Sequence, residues 1–144
     1  MSSLRVSDLM TDAVATLRPG DSIAALNDLM TSRHVRHVPI VDAEGDLVGL
    51  VSHRDLLRVA LSRAAELPVS AQRQILRHIR IEEIMIADPE TTEPEVDLRE
   101  AAQIMLENKY GCLPVVEGSR LVGILTEADF VRYLAERVCG GGPA

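Results

Sequence analysis

The chain has 144 residues and a formal net charge of −7 at pH 7, so it is long enough for one compact domain or for two small units that share a core. Aromatic residues make up only 2% of it, too few for the base-stacking surfaces of single-stranded nucleic-acid binders, and the negative charge gives no general attraction to phosphate backbones or anionic lipid. We therefore expect no nucleic-acid partner and no membrane partner. Residues 1–6 lack the apolar core of a signal peptide and no apolar stretch reaches membrane-spanning length, so we expect a cytoplasmic protein.

In chain order, the first predicted element is a short extended segment at residues 14–17. Pro19 then precedes a helix for which Asp21 is the predicted N-cap residue. Apolar side chains recur along this helix every three or four residues, which predicts one buried face formed by Ile23, Leu26 and Met30. Two β-rich runs joined by a glycine-containing turn predict a hairpin, and a second helix, from residue 54 to about residue 65, closes the unit.

The same elements return after residues 66–79, which are predicted to be a connection with one or two helical turns. The second copy has an extended segment at 90–92, then Pro94, then a helix with Asp97 as its predicted N-cap. The buried face of that helix is formed by Leu98, Ala101 and Met105. A closing helix at about 128–138 completes an α+β fold of two β-α-β-β-α units, residues 6–65 and 80–138, followed by a flexible tail at 139–144.

The two copies match in sequence almost without gaps. Residues 6–10 match 81–85, and residues 38–41 match 113–116, both at an offset of 75 positions. Residues 47–52 match 121–126 at an offset of 74. The one-residue difference falls in the hairpin turn, where changes of length are tolerated.

A hydroxyl and a carboxylate stand three residues apart where each closing helix begins, as Ser52 with Asp55 and as Thr126 with Asp129. A hydroxyl at a helix start lies beside unsatisfied N–H groups and the positive end of the helix dipole, which favours a phosphate, and the carboxylate can accept hydrogen bonds from ribose hydroxyls. The same spacing is that of a capping box, which needs no ligand. Both interpretations remain open, and they are compatible.

Two prolines, Pro39 and Pro114, interrupt the first strand of each predicted hairpin. Because proline has no N–H, each strand must contain a stretch of unpaired backbone. That stretch either offers hydrogen-bonding groups to a ligand or only marks where a strand begins.

Neither a metal centre nor a catalytic site is indicated. Cys112 and Cys139 lie far apart without a second ligand pair beside them, so neither a zinc site nor a disulfide framework is indicated. His34 and His37 have no third ligand beside them. No nucleophile elbow, phosphate-binding glycine loop with its lysine, or zinc-protease motif occurs, so we expect a protein that is not an enzyme.

At residues 47–55 (LVGLVSHRD) and 121–129 (LVGILTEAD) the chain resembles a pair of cystathionine-β-synthase (CBS) domains, also called a Bateman module. Members of that family carry, in each repeat, an apolar residue before a strand proline and a Gly-x-x-[Ser/Thr]-x-x-Asp motif at the entrance of the last helix. Both features occur twice here. The resemblance implies two repeats packed through their sheets with pseudo-twofold symmetry, two clefts between them that hold adenosine nucleotides, and assembly as a homodimer of a stand-alone module.

The resemblance also implies a set of ligand-contacting positions. The strand threonines Thr16 and Thr91 and the proline region approach the base, while Arg36, His37 and Lys109 are candidates to reach phosphates, with a solvated basic face as the alternative. The basic stretch 34–37 has no equally basic counterpart at 109–112, which suggests that the two clefts differ. The full set is Thr16, Arg36, His37, Val38, Pro39, Ser52, His53, Arg54, Asp55, Thr91, Lys109, Cys112, Leu113, Pro114, Thr126, Glu127, Ala128 and Asp129.

The function implied is that of a regulatory sensor that binds AMP, ADP, ATP or an S-adenosyl ligand and acts on a partner protein. No obligatory cofactor is expected, although Mg²⁺ could accompany the phosphates. The alternative is a structural interaction or dimerisation domain whose clefts stay empty.

Overall fold

A computed structural model of the protein describes residues 3–63 and 66–139. Helices and strands alternate along both repeats, which confirms the predicted α+β class. The elements, in chain order, are α1 (Val6–Leu9), α2 (Ile23–Arg33), β1 (His37–Val41), β2 (Leu47–Ser52), α3 (His53–Arg63), α4 (Val69–His78), a 3-10 turn (Ile81–Glu83), β3 (Ile86–Ala87), α5 (Leu98–Asn108), β4 (Cys112–Glu117), β5 (Arg120–Thr126), α6 (Glu127–Tyr133) and a π-helix (Leu134–Cys139).

Both predicted hairpins are present, β1 with β2 and β4 with β5, each antiparallel. The register shifts by one residue between Ile40 and Val41 in the first hairpin and between Val115 and Val116 in the second, which are equivalent positions. The turns contain Gly45 at φ 88° and Gly118 at φ 66°, a backbone region that glycine enters without steric cost. The repeat in the sequence is therefore a repeat in backbone geometry.

The extended segments predicted at 14–17 and 90–92 are not full strands. Each pairs through one residue in a parallel bridge, Leu17 with Ile40 and Thr92 with Val115. The N–H of Thr92 donates to the Pro114 carbonyl at 3.0 Å, and the N–H of Val116 donates to the Thr92 carbonyl at 2.9 Å. Extending this pairing toward the start of the segment would require an N–H on the proline, which has none, so each bridge stays one residue long.

The chain forms two compact units that are interleaved in the sequence. One unit combines the segment up to Val14 with the chain from Glu90 onward, and the other runs from Ala15 to Pro89. The first segment of each repeat, here called its leading segment (residues 6–14 in one repeat and 80–89 in the other), thus packs with the body of the other repeat. The predicted repeats, 6–65 and 80–138, are defined by sequence similarity, whereas these two units are defined by which residues pack together.

The same pair of hydrogen bonds attaches the leading segment in each unit. In the first, the N–H of Val6 donates to the Val96 carbonyl and that of Ser7 to the Pro94 carbonyl, at 2.9 and 3.0 Å. In the second, Ile81 and Glu82 donate in the same way to Asp21 and Pro19, at 2.8 and 3.0 Å. The match between residues 6–10 and 81–85 reflects this shared role.

Glycine is required in β2 and β5 by the methionine of the adjoining leading segment. A Cβ placed on Gly49 would lie 2.5 Å from Sδ of Met85, and one placed on Gly123 would lie 2.8 Å from Sδ of Met10. Both distances are much shorter than the separation of two atoms in van der Waals contact, so a side chain at either position would clash with the methionine. The glycine of each Leu-Val-Gly motif therefore leaves room for the methionine of the adjoining leading segment.

Each unit has its own hydrophobic core, and the predicted helix faces of α2 and α5 point into it. Burying a large aliphatic side chain contributes roughly 1.5–3 kcal/mol. One core is formed by Ile23, Leu26, Met30, Val38, Ile40, Val51, Leu56, Ile79 and Ile81. The other is formed by Val6, Leu98, Ala101, Met105, Leu113, Val115 and Leu125.

Of the two predicted helix caps, one is confirmed and one is wrong. Asp97 is the N-cap of α5, and its carboxylate accepts from the N–H of Arg99 at 2.8 Å. For α2 the N-cap is Ser22, whose hydroxyl accepts from the N–H of Ala25 at 3.1 Å. The Asp21 carboxylate instead accepts from the N–H of Arg18 at 2.8 Å, which stabilises the turn before the helix and leaves the capping to the next residue.

The closing helices and the connection differ in detail from the prediction. The connecting segment contains α4, a helix of ten residues where one or two turns were expected. The first closing helix is described as far as Arg63, so its predicted end at residue 65 lies outside the described residues; the second changes from α to π geometry at Leu134. Of the predicted tail, Cys139 ends the π-helix and residues 140–144 lie outside the described part. Within the described chain, no helix combines the length and the apolar character needed to cross a bilayer.

Candidate functional site

In the first repeat, the predicted hydroxyl and carboxylate meet where β2 passes into α3. Oδ2 of Asp55 accepts from the N–H and the hydroxyl of Ser52, both at 2.9 Å, while the N–H of Asp55 donates to Oγ of Ser52 at 3.2 Å. This is a capping box. The other oxygen, Oδ1, lies 3.8 Å from Nη1 of Arg58, beyond hydrogen-bonding distance, and accepts no hydrogen bond from the described residues. One carboxylate oxygen is thus available to a ligand.

The second repeat has the same capping box, but both oxygens of its carboxylate already accept hydrogen bonds, a state called closed below. Oδ2 of Asp129 accepts from the N–H and the hydroxyl of Thr126 at 2.8 and 3.1 Å. Oδ1 accepts from the hydroxyl of Thr11 and from Nη1 of Arg132, both at 2.9 Å. The Asp129 side chain is only 1% exposed, against 17% for Asp55. Capping is therefore shown in both repeats, while an open acceptor is found only in the first.

A short backbone bond fixes the residue that precedes each hairpin next to the start of the following helix. The N–H of His53 donates to the Arg36 carbonyl at 2.7 Å, and the N–H of Glu127 donates to the Gly111 carbonyl at 3.1 Å. In the first repeat this bond places the backbone of Arg36, whose side chain is exposed, next to the residue that follows Ser52. Across the hairpin, His37 pairs in register with Ser52.

The predicted base-contacting residues are half-buried and equivalent in the two repeats. Thr16 and Thr91 each precede the residue that forms the parallel bridge, beside the carbonyls of Pro39 and Pro114. Lys109 is exposed and ends α5 in the left-handed conformation at φ 57°. The strand residues of the predicted set are buried, so that any contact with a ligand would come from their backbone: Val38, Pro39, Cys112, Leu113 and Pro114.

A family model for the CBS domain matches residues 6–62 and again residues 81–136. The chain belongs to the CBS domain family. Its two matches coincide with the repeat found in the sequence, and each contains one of the capping boxes described above. Two tandem CBS domains thus account for most of the chain.

Two curated relatives match this chain over part of their own length. The chain is 34% identical over 129 residues to protein MJ1225 of Methanocaldococcus jannaschii, covering 90% of this chain and 42% of that protein. It is 35% identical over 130 residues to homoserine O-acetyltransferase of Methanococcoides burtonii, covering 90% of this chain and 24% of the enzyme. The chain therefore spans less than half the length of either relative.

Solved structures of CBS proteins are close in fold along the whole chain. A Vibrio cholerae protein named for acetoin utilization (AcuB) gives a TM-score of 0.80 at 35% identity and covers 98% of both chains. CBSX2 in complex with AMP gives 0.76 at 28% identity, covering 92% of this chain and 96% of the other. The CBS domain pair of MJ0100, in complex with 5′-methylthioadenosine and S-adenosyl-L-methionine, gives 0.78 at 25% identity, covering 94% and 99%.

Thr11 is the residue of this CBS pair that the site prediction missed. It precedes the second repeat's motif by more than a hundred positions, so that no local pattern associates it with Asp129. The repeat match contained an indirect signal, because Ile86 occupies the equivalent position in the second leading segment. A hydroxyl in one copy and an aliphatic side chain in the other marks a place where the two copies differ chemically.

Burial makes the thiol of Cys112 inert. Desolvation, with a smaller contribution from the charge of Glu127, raises the pKa of Cys112 to about 12, and only the thiolate is an effective nucleophile. At pH 7.5, the folded protein should therefore leave Cys112 unmodified by iodoacetamide over hours. Peptide mass spectrometry would check this, with the urea-unfolded chain as the control that reacts, and rapid labelling of native Cys112 would contradict it.

Proposed function

We propose that the protein is a regulatory module that binds an adenosine nucleotide and passes the signal to a partner protein, and that it is not itself an enzyme. The observation that carries the proposal is the open Oδ1 of Asp55 beside the capped start of α3. Ser52 immediately precedes that helix, and the Arg36 carbonyl accepts from its first residue, His53, so we place the ribose acceptor and the groups that favour phosphate at this one end of α3.

The chemistry of an adenosine phosphate fits this end of the first repeat. Two ribose hydroxyls can donate to the available carboxylate oxygen, a charge-assisted contact that is stronger than one to a neutral acceptor. A phosphate is favoured by the N-terminus of α3, an eleven-residue helix, and by an arginine that forms no ion pair among the described residues. The neighbours of known structure that hold AMP, 5′-methylthioadenosine and S-adenosyl-L-methionine support the adenosyl class.

The complete set of ligand-contacting residues predicted from the sequence stands as part of this proposal. We propose AMP, ADP, ATP or an S-adenosyl compound as the ligand, with Mg²⁺ accompanying the longer phosphate chains. We further propose that the module works in the cytoplasm. Its effector is a separate protein or a further domain that reads the occupied state.

Thermal unfolding with and without nucleotide tests the function. A ligand present at about a hundred times its Kd should contribute roughly 2.7 kcal/mol, which for a chain near this size raises the Tm by about 5–10 °C. AMP, ADP, ATP or S-adenosyl-L-methionine should give this shift, and GMP at the same concentration should give much less. If none of the adenosyl compounds moves the Tm, the chain is a structural interaction domain with empty clefts.

We also propose that the chain forms a homodimer through its closing helices. Exposed apolar side chains recur on these helices in both repeats: Leu57 and Leu61 on α3, and Val131 on α6, followed by Leu134. An apolar groove of about 530 Å³ lies beside α6, lined by Met105, Leu106, Phe130 and Val131 among others. Exposed apolar surface of this kind is typical of association sites.

Light scattering tests the dimer. At micromolar concentration the wild type should have twice the mass of one chain. Val131→Glu, which places a charge on the exposed face of α6, should shift the protein toward monomer. Asn27→Asp, which adds the same single negative charge at an exposed position of α2, serves as the control. A wild type that has the mass of one chain at every accessible concentration rules the proposal out.

A further inference from the structure

The two carboxylates that begin the closing helices are in different states. All the described hydrogen bonds to Asp55 fall on one of its oxygens, whereas both oxygens of Asp129 accept hydrogen bonds. A ribose hydroxyl arriving at Asp129 would have to displace Thr11 or Arg132 from a side chain that is already buried. The two repeats therefore differ in the cost of binding a ligand, although their motifs are the same.

The difference originates in the leading segments. Thr11 bridges to Ile124 of β5 through a pair of 2.9 Å backbone bonds, and the equivalent residue Ile86 pairs with Leu50 of β2. The backbones are thus in the same register, but Ile86 has no hydroxyl to donate and its side chain is 54% exposed. Thr11 is one of two groups that donate to Oδ1 of Asp129, the other being Arg132, and Ile86 cannot supply the equivalent hydrogen bond to Asp55.

The charges at the two helix starts favour the same repeat. The first repeat has Arg36, His53 and Arg54 at the positions where the second has Gly111, Glu127 and Ala128. Neither Arg36 nor Arg54 is paired with a carboxylate within the described residues. An anionic phosphate meets several potential cations at the first repeat, whereas at the second it meets Lys109 together with the carboxylate of Glu127.

We infer that the two repeats bind adenosine phosphates unequally: the first repeat takes the ligand, and Thr11 keeps Asp129 of the second repeat out of use as a ribose acceptor. The inference rests on the proposed function and adds to it the site that is used and the residue that controls the other one. Thr11 acts through Asp129 and is a positioning residue. The chain then binds one adenosine phosphate at its first repeat, while the equivalent carboxylate of the second repeat does not contact a ligand.

Calorimetric titration of the full chain with AMP and with uncharged adenosine tests the inference. The wild type should bind one equivalent of AMP per chain, with any second equivalent at least tenfold weaker. Thr11→Val keeps the side-chain shape but removes the hydroxyl, so a second equivalent of adenosine should strengthen about tenfold, the lower end of the effect of a hydrogen bond to a charged group. Loss of structure alone would not produce such a gain in affinity.

The reciprocal variant, Ile86→Thr, is the matched partner. It places a hydroxyl at the exposed position next to β2, where it should close Asp55 and weaken the first AMP equivalent about tenfold. Thermal melts of both variants verify that they are folded. Because Ile86 is exposed, this variant keeps the test decisive even if Thr11→Val unfolds.

Two results would overturn the inference and leave the proposed function intact. One is a wild type that binds two AMP per chain with Kd values within about threefold of each other. The other is a pair of variants that bind both equivalents as the wild type does. A folded wild type that binds neither AMP nor adenosine would instead remove the proposed function, and the inference with it.

Discussion

Replacing Asp129 with alanine is expected to lower the free energy of unfolding by about 2–4 kcal/mol. The variant keeps the N-cap Thr126 but loses the N3 carboxylate of the capping box, which contributes about 1 kcal/mol, and it also loses the bonds that this buried carboxylate accepts from Thr11 and Arg132. The bond from Thr11 to the buried carboxylate contributes roughly 1.5–3 kcal/mol, whereas Arg132 is 54% exposed and its ion pair adds little. The Tm should fall by roughly 6–12 °C, because for a chain near this size each kcal/mol corresponds to about 3 °C.

Asp55→Ala is the matched control, since it removes the equivalent residue with the same capping geometry. Its carboxylate has no partner comparable to Thr11, and Arg58 lies 3.8 Å away at a largely exposed position, where ion pairs contribute little. The expected loss is about 1 kcal/mol, that of the N3 carboxylate of the capping box alone. Urea unfolding of both variants in ligand-free buffer provides the comparison. Equal losses would mean that the contacts of Thr11 and Arg132 do not stabilise the fold.

The features that the sequence predicted well are those with a local physical cause. The burial of Ile23, Leu26 and Met30 follows from their spacing along α2, and the hairpins follow from β-rich runs around a glycine turn. The first strands were predicted too long because the proline effect acts across the sheet. Pro39 limits the pairing of Leu17, more than twenty positions earlier, and no pattern within residues 14–17 shows that.

The interleaving of the two units is a long-range feature of the same kind. A leading segment such as 6–10 reads the same whether it packs on its own repeat or on the other one. The signal that distinguishes these cases is indirect: Gly123 has no side chain because Met10 occupies the space. In each Leu-Val-Gly motif, the glycine contacts a methionine from the leading segment of the other repeat.

The sequence predicted the residue types of the candidate site, but not which of its two carboxylates has an oxygen that is free to accept a hydrogen bond. A hydroxyl and a carboxylate three residues apart predict a capping box and a ligand acceptor equally well, and the capping box is present twice. Which carboxylate is open depends on Thr11 and Arg132, and the first of these lies 118 positions from Asp129. Sequence spacing could identify both aspartates, but only the tertiary structure separates them.

Because the two aspartates differ in this way, their asparagine variants should bind AMP differently. Asp55→Asn should weaken AMP binding about ten- to a hundredfold, while Asp129→Asn should change the affinity by less than about threefold. Asparagine keeps the size of the side chain and an oxygen that caps α3, so the fold should be retained. It removes the negative charge that strengthens hydrogen bonds from the ribose hydroxyls. Because Asp129 is closed in the wild type, the same change there should leave the first equivalent of AMP unaffected. Calorimetric titrations of the two variants, each with its Tm measured, compare them directly. If both bind AMP as the wild type does and melt several degrees lower, the two aspartates are helix caps and the ligand binds elsewhere.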